Sequence, residues 1–270
     1  MNEINCDIFI PVRLNSSRLP KKHLQPLNGK PALKHLVERV SMCQEIRSII
    51  VCCTTDSTDD ELIDFLMKEN IKFFRGNEKD ILQRFLDASK KFDTDIIIDV
   101  EGDKIYTDPD YVDKITNMLK TSKSDFVIGN NSKTKFNPSN HFIHGIIPAG
   151  FKKNALEKIC RLKNTDDTGT GYREFFIKSK SIKSEFLVID TDDFLNKIRL
   201  TLDYPEDLQL AEKVFESLGT RFTKNELINL FRNNPELITI TEKINKKWEL
   251  NYEKNKAVKK FKSTKKFEKS

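Results

Sequence analysis

Residues 8–33 read IFIPVRLNSSRLPKKHLQPLNGKPAL. An apolar run ends at Val12, and a loop carrying Arg13, Arg18, Lys21 and Lys22 follows. Asn28-Gly29-Lys30-Pro31 then marks a turn. Beyond it, Leu33, Leu36, Val37, Val40 and Cys43 recur at helical spacing, and Pro31 suits a helix's first turn. The stretch is thus a strand, a basic loop and a helix, which is one unit of an α/β chain.

Outward from this unit the alternation continues. Apolar runs at 6–11, 48–53, 71–74, 95–100, 125–129, 143–149, 185–190 and 198–202 predict strands. Several are nearly continuous in Ile, Val and Phe, as strands buried on both faces should be. Helices are expected over 31–43, 78–91 (stripe Ile81, Leu82, Phe85, Leu86) and 205–218 (stripe Leu208, Ala211, Phe215, Leu218). The fold class expected for 1–220 is α/β, with a mainly parallel central sheet flanked by helices. From about 221 the pattern turns helical, over 223–232 and 235–250, so a helical C-terminal appendage is expected at 221–252. No internal repeat is present.

The net charge of +6 is local. Residues 253–270 hold eight Lys and two Glu, so the remaining chain is neutral. The basic balance therefore describes a tail, expected to be disordered and solvated, and truncation near residue 252 is expected to leave catalysis intact. No aromatic-basic RNA motif or zinc-finger spacing accompanies the tail, which argues against nucleic acid as a partner. With 270 residues, 37% of them hydrophobic, the chain can bury a full core. No stretch approaches a membrane span, and MNEINCDIFIPV does not read as a secretory signal. Cys6, Cys43, Cys52, Cys53 and Cys160 form no C-x-x-C pair and no metal spacing with the four histidines. They read as small buried residues, and the expected location is the cytoplasm.

Three segments bear chemistry. The basic loop lies at the carboxyl end of the first strand, where parallel α/β sheets bind ligands. It is neither a Walker A loop nor a dinucleotide fingerprint. Guanidinium forks and an ammonium can replace a backbone cradle for polyphosphate, although a solvated basic loop reads equally well. In Asp95-Ile-Ile-Ile-Asp-Val-Glu-Gly-Asp103, carboxylates end a strand and could hold Mg²⁺ on a nucleotide, or form an ordinary Gly-Asp turn. In Arg199-Leu-Thr-Leu-Asp203-Tyr-Pro-Glu-Asp207, Asp203 on its own reads best as a helix cap.

Together the segments resemble a known family. IPVRLNSSRLPKK followed by NGKPAL, TTDSTDDEL (54–62), FFRGNEKDILQRFLDASKK (73–91), VEGD (100–103), RLTLDYPEDLQL (199–210) and NNPELITITEKIN (233–245) occur in its order. The resemblance is to the cytidylyltransferases that activate sugar acids such as Kdo and acylneuraminate, and most to the spore-coat polysaccharide branch. It implies a Rossmann-like nucleotidyltransferase fold and a homodimer. It also implies attack by an oxygen of a small anionic acceptor on the α-phosphorus of CTP, with loss of pyrophosphate. Carried over by residue, Arg13, Ser17, Arg18, Lys22, Asp80 and Asp103 match nucleotide-binding positions. Arg13, Lys22 and Asp103 match catalytic ones. Asp103 and Asp203 match Mg²⁺ ligands, and His144, Arg173 and Glu174 match the acceptor pocket.

The chain departs from the family in places. Lys104-Ile105 follows Gly102-Asp103 where Gly-Asp-x-Pro is common, and Lys21 stands where a small residue is common. In HGIIPAGFKKNALEKI (144–159), Ala149 lies at a Glu position. In GYREFF (171–176), Phe175 lies at a His position. These departures are expected to alter the acceptor pocket. His141 and His144 lack a third ligand and read as polar pocket or surface residues, Gly169-Thr170-Gly171 as a loop edge, and Trp248 as packing for the terminal helix. Two other functions compete. One is a glycosyltransferase using a nucleotide-sugar donor, for which only Glu101-x-Asp103 is offered as a metal motif. The other is a non-catalytic nucleotide-binding paralogue.

Overall fold

The computed structural model describes residues 4–130, 145–189 and 193–256. Strand β1 (Cys6–Pro11) enters the basic loop, and a small hairpin of β2 (Pro26–Leu27) and β3 (Lys30–Pro31) delivers the chain to α1 (Ala32–Val40). There follow β4 (Ser48–Thr54), α2 (Asp60–Lys68), β5 (Phe73–Gly76), α3 (Ile81–Lys91), β6 (Ile96–Asp99), α4 (Pro109–Thr121) and β7 (Phe126–Asn130). After them come β8 (Ala149–Lys152), α5 (Lys153–Leu162), α6 (Glu174–Lys178), β9 (Ser184–Val188), α7 (Pro205–Leu218), α8 (Lys224–Asn233) and α9 (Glu236–Asn255).

Among the described residues seven strands form one sheet in the order β5-β4-β1-β6-β8-β7-β9. All neighbours are parallel except β8, which runs antiparallel to both β6 and β7. The sheet is mainly parallel, as expected, with one reversed strand. Side chains alternate across the strands, so the central strands are buried on both faces, while the edge strands β5 and β9 are only partly buried. Ile8, Ile10, Ile96 and Ile98 point into one core, where α1, α2, α4 and α7 pack. Phe9 and Ile97 point into a second core, beneath α3, α5 and α6.

Some boundaries move. The strand expected at 71–74 begins at Phe73, and 198–202 forms an isolated bridge rather than a strand. Of 143–149, the part before Gly145 lies outside the described residues, and the strand there is β8, which begins at Ala149. The C-terminal helices are not separate from the domain, because Leu227, Phe231 and Leu237 join the first core. α9 continues to Asn255, so residues 253–255 are helical rather than tail, while 257–270 lie outside the described residues. All five cysteines are free thiols, with Cys6, Cys52 and Cys53 buried and Cys43 and Cys160 partly so. No helix among the described residues is long and apolar enough to cross a membrane.

The chain leaves β1 toward β4 and β5, then returns to place β6 on the other side of β1. This reversal opens a crevice beyond the carboxyl ends of β1 and β6, where open α/β sheets bind their ligands.

Candidate active site

The basic loop is pinned from below. Leu14 and Leu19 are buried in the first core. The Leu14 N–H donates to Asp59 Oδ1 at 2.7 Å, and the Lys21 N–H to Leu14 O at 3.3 Å. Between these anchors Arg13 and Ser17 are exposed and Arg18 half-buried, all three on the wall of a cleft of about 1020 Å³. Lys21 points away and pairs with Glu61, with a left-handed φ of 50°. Lys22, one residue on, turns into the cleft.

Across from the loop, β6 runs into the turn Glu101-Gly102-Asp103. A Cβ at Gly102 would lie 2.8 Å from Val12 Cγ2 and 2.9 Å from Pro11 O, so only glycine lets this turn approach β1 so closely. His23 holds the turn from the other side, its Nδ1 being 3.1 Å from Gly102 O. Burial and the Lys22 charge push this imidazole down to about 3, so it is neutral and Nδ1–H is the donor. The Leu202 N–H donates to Asp103 O at 2.9 Å, which brings Asp203 beside Asp103. The cap role expected of Asp203 belongs to Asp207, whose Oδ2 accepts the Asp203 N–H at 2.8 Å and the Tyr204 N–H at 3.0 Å. Asp203 is thereby free to face the cleft.

The centre of the site is an ion cluster. Lys22 Nζ donates to Asp103 Oδ2 and to Asp203 Oδ1, both at 2.9 Å, and Arg18 Nη2 donates to Asp203 Oδ1 at 2.7 Å. Arg199 Nη2 donates to Asp203 Oδ2 at 3.3 Å. Burial pushes the Asp203 carboxyl up, but Lys22, Arg18 and Arg199 outweigh it and hold the group well below the usual carboxylate range. Burial works against the charge on Lys22, and Asp103 and Asp203 restore and raise it. Two cations of the loop and two carboxylates of the opposite wall thus neutralise each other.

The far wall holds Arg173 and Glu174, both on the cleft but both engaged. Arg173 donates from Nε to Asp99 Oδ2 at 2.6 Å and from Nη2 to Asp99 O at 2.9 Å, and its Nη1 is 3.2 Å from Glu101. Glu174 accepts the Tyr252 hydroxyl at 2.8 Å and pairs with Lys178. Glu101 pairs with Lys104 and Arg173 rather than joining Asp103, which weakens its claim as half of an Asp-x-Asp-type motif. Asp80 does not line the cleft. It caps α3 by accepting the Gln83 N–H, and it holds Thr168 and Lys163 in a buried cluster. Ala149 and Phe175 are buried in the second core, so neither departure takes a polar group from the cleft wall. His141 and His144 lie outside the described residues.

Sequence reasoning missed Asp99, Tyr172, His23 and the aromatic pair of α9. Asp99 ends an all-isoleucine strand, a visible cue for a buried carboxylate with a partner. Trp248 and Tyr252 line the cleft instead of only packing their helix, and nothing in an amphipathic pattern distinguishes a cleft from a core.

Among the described residues no cluster of three or more His, Cys, Asp or Glu could enclose a metal. Asp103 and Asp203 do fit a shared divalent cation, because the Lys22 ammonium already occupies a point 2.9 Å from both. Two carboxylates with the remaining positions open suit Mg²⁺, which keeps waters and substrate phosphate oxygens in its shell.

Residues 8–244 match the cytidylyltransferase family model. The chain belongs to the cytidylyltransferase family. It is 28% identical over 250 residues to the spore coat polysaccharide biosynthesis protein SpsF of Bacillus subtilis, covering 90% of this chain and 99% of the relative. It is 32% identical over 133 residues to an 8-amino-3,8-dideoxy-manno-octulosonate cytidylyltransferase of a Shewanella species, covering 46% of this chain and 51% of that one. A cytidylyltransferase structure from Leptospira borgpetersenii superposes with a TM-score of 0.77 at 25% identity, over 87% of this chain and 97% of that one. The CMP-2-keto-3-deoxy-manno-octonic acid synthetase complexed with CTP shares the fold, with a TM-score of 0.58 at 16% identity over 79% and 99% of the two chains. The basic loop, the Gly-Asp turn and the Asp203 segment all fall within the matched range.

Proposed function

We propose that this chain is a Mg²⁺-dependent cytidylyltransferase that transfers CMP from CTP to an oxygen of a small anionic acceptor, releasing pyrophosphate, in the synthesis of a glycan precursor. The carrying observation is the position of Lys22 Nζ, equidistant from Asp103 and Asp203 at the base of the basic loop. Charge explains the exchange that substrate binding requires. A metal-bound triphosphate brings a divalent cation for the two carboxylates and anionic oxygens for Arg13, Arg18 and Lys22. The ion pairs within the protein are replaced by ion pairs to the substrate, and little net charge is left unpaired.

Bound Mg²⁺ would supply charge neutralisation at the phosphates. The protein's own part is positioning and electrostatics, which phosphoryl-type transfer chiefly needs. Lys22 and Arg18, released from the aspartates, neutralise the pyrophosphate as the bond from Pα to its bridging oxygen breaks. Arg13 and Ser17 reach the same group from the loop's exposed edge. Asp103 and Asp203 hold the cation. At the other end of the cleft, Arg173 and Glu174 are oriented by Asp99 and Tyr252 to meet the acceptor. A homodimer belongs to this reading.

The sugar-acid and polysaccharide roles named for the relatives make an anionic sugar the first acceptor class to test. The glycosyltransferase reading loses ground because Glu101 is committed to Lys104 and Arg173. The test is calorimetric binding of CTP, UTP, GTP and ATP, each with and without Mg²⁺, beside Asp103→Asn. Selective Mg²⁺-dependent CTP binding, weakened in the variant, is expected and would license an acceptor screen by pyrophosphate release. Absence of triphosphate binding would sink the reading.

A further inference from the structure

Arg199 is buried, yet its contacts to carboxylates are long. Its Nε lies 3.3 Å from Asp207 Oδ1, and its Nη2 lies 3.3 Å from Asp203 Oδ2 and 3.4 Å from Asp207 Oδ2. Bonds of that length do not fix a guanidinium plane by themselves. What bounds its other side is Trp248, whose ring centroid is 4.9 Å from Arg199 Cζ. Trp248 in turn stacks on Tyr252, one helical turn on, with centroids 5.5 Å apart and planes 21° apart. Tyr252 ends the row by donating its hydroxyl to Glu174 at 2.8 Å. One face of α9 therefore spans the cleft, with Asp203 at one end of the row and Glu174 at the other.

We propose that Trp248 is a positioning residue, whose ring fixes Arg199 against Asp203 and so sets the orientation of the metal-side carboxylate. The C-terminal helix is then part of the site rather than an accessory to the fold. Arg199 suits the task because its planar fork can stack on an indole while directing N–H groups sideways at two carboxylates. An apolar side chain of similar bulk could fill the volume but could not hold a cation by its face. This inference rests on the cytidylyltransferase reading.

Trp248 is the chain's one tryptophan. Its emission therefore reports on the cleft with no background from other indoles. Saturating Mg²⁺-CTP is expected to change the emission of the wild type as Asp203 and Arg199 rearrange. Trp248→Leu keeps apolar volume and removes the aromatic face. It is expected to raise the Mg²⁺ concentration for half-maximal CTP binding, read by calorimetry, by roughly fivefold, the size of one partly exposed cation–π contact. Trp248→Phe restores a face and is expected to lie within about twofold of the wild type on the same basis. Arg199→Lys loses the fork and should shift in the same direction as Trp248→Leu.

A Trp248 that only packs α9 would lower the melting temperature of the leucine variant and leave its Mg²⁺ requirement unchanged. That result, or an unchanged wild-type emission when calorimetry shows Mg²⁺-CTP bound, overturns the proposal. If Trp248→Leu does not fold, the Arg199→Lys comparison decides alone, and a wild-type Mg²⁺ requirement there overturns it. Absence of Mg²⁺-CTP binding in the wild type would bring down the proposed function, and this inference with it. Binding that is indifferent to Trp248 and Arg199 brings down only this inference.

Discussion

Lys22 keeps its charge against the opposing effect of burial, because two carboxylates meet its ammonium. The two are not equivalent. Asp203 uses both oxygens, on Lys22, Arg18 and Arg199, whereas Asp103 meets Lys22 through one and is more exposed. Asp203→Asn is expected to cost about 3 kcal/mol of unfolding free energy, as removal of one partner leaves buried cations unpaired. Asp103→Asn should cost about 1 kcal/mol. Both should lower turnover by at least about 100-fold, since under the proposed function each aspartate would hold the cation that neutralises the phosphates. Denaturant unfolding and pyrophosphate release check the two halves, and equal stability loss in the variants would contradict this ranking. The buried histidines give a pH signature. Burial, then the charge of Lys22, depresses His23 to about 3. Burial chiefly depresses His35, whose two nitrogens meet Leu27 O and the Thr220 hydroxyl at 2.8 Å. A base held neutral in the fold binds its proton first in the unfolded chain, so stability is full above about 6.5 and declines as pH falls toward 3. Between pH 7 and 5 the His23 contribution to the decline should be about 2 kcal/mol, with His35 acting in the same direction. His35→Gln should flatten part of the slope in calorimetric melts. A flat wild-type profile would contradict the neutral assignment.

The C-terminal helices mark where element-level reading succeeded and where it stopped. The periodicity of 223–232 and 235–250 places both helices, and Thr223 with Glu226 closes a capping box at the start of α8. The pattern does not say what the apolar stripe faces. Leu237 enters the domain core and Ile244 is buried, while Trp248 and Tyr252, continuing the same face, meet the cleft. A stripe of four such residues looks alike whether it meets side chains or a substrate cavity. The tail boundary was misplaced for a related reason. Lysines continue through 254 and 256, yet Lys256 lies 3.8 Å from Glu174, so charge density did not mark the end of structure. Ending the chain after Lys256 should leave the melting temperature and turnover unchanged. Ending it after Asn234 removes two buried aliphatic chains and should cost at least about 4 kcal/mol. An Asn234-terminated chain as stable as the wild type would show that α9 is dispensable to the core.

At the scale of the whole molecule, strand runs and the loop after β1 made the sheet legible, because parallel strands buried on both faces leave apolar runs and ligands gather at their carboxyl ends. The reversal of β8 was not legible, since an apolar run carries no direction. Nor was the long-range pairing that sets Asp203 beside Asp103, a hundred residues earlier in the chain. The resemblance to the family supplied it, and the Leu202 to Asp103 hydrogen bond is its physical cause. The resulting cluster is nearly neutral without substrate, and this shapes the response to ligands. A nucleotide without metal would draw Lys22 and Arg18 away and leave Asp103 and Asp203 facing its phosphates unshielded. A metal without nucleotide would compete with Lys22 for the carboxylates and gain little. Only the two together satisfy every charge. Mg²⁺-CTP at a hundredfold over its dissociation constant should therefore stabilise the fold by about 2.7 kcal/mol, raising the melting temperature by about 5–10 °C. CTP or Mg²⁺ alone, at the same concentrations, should shift it by no more than about 2 °C on that scale. A thermal melt with each component and with both decides the matter. Equal shifts from CTP with and without metal would mean that the aspartates do not share a cation with the nucleotide, and that Lys22 never leaves them.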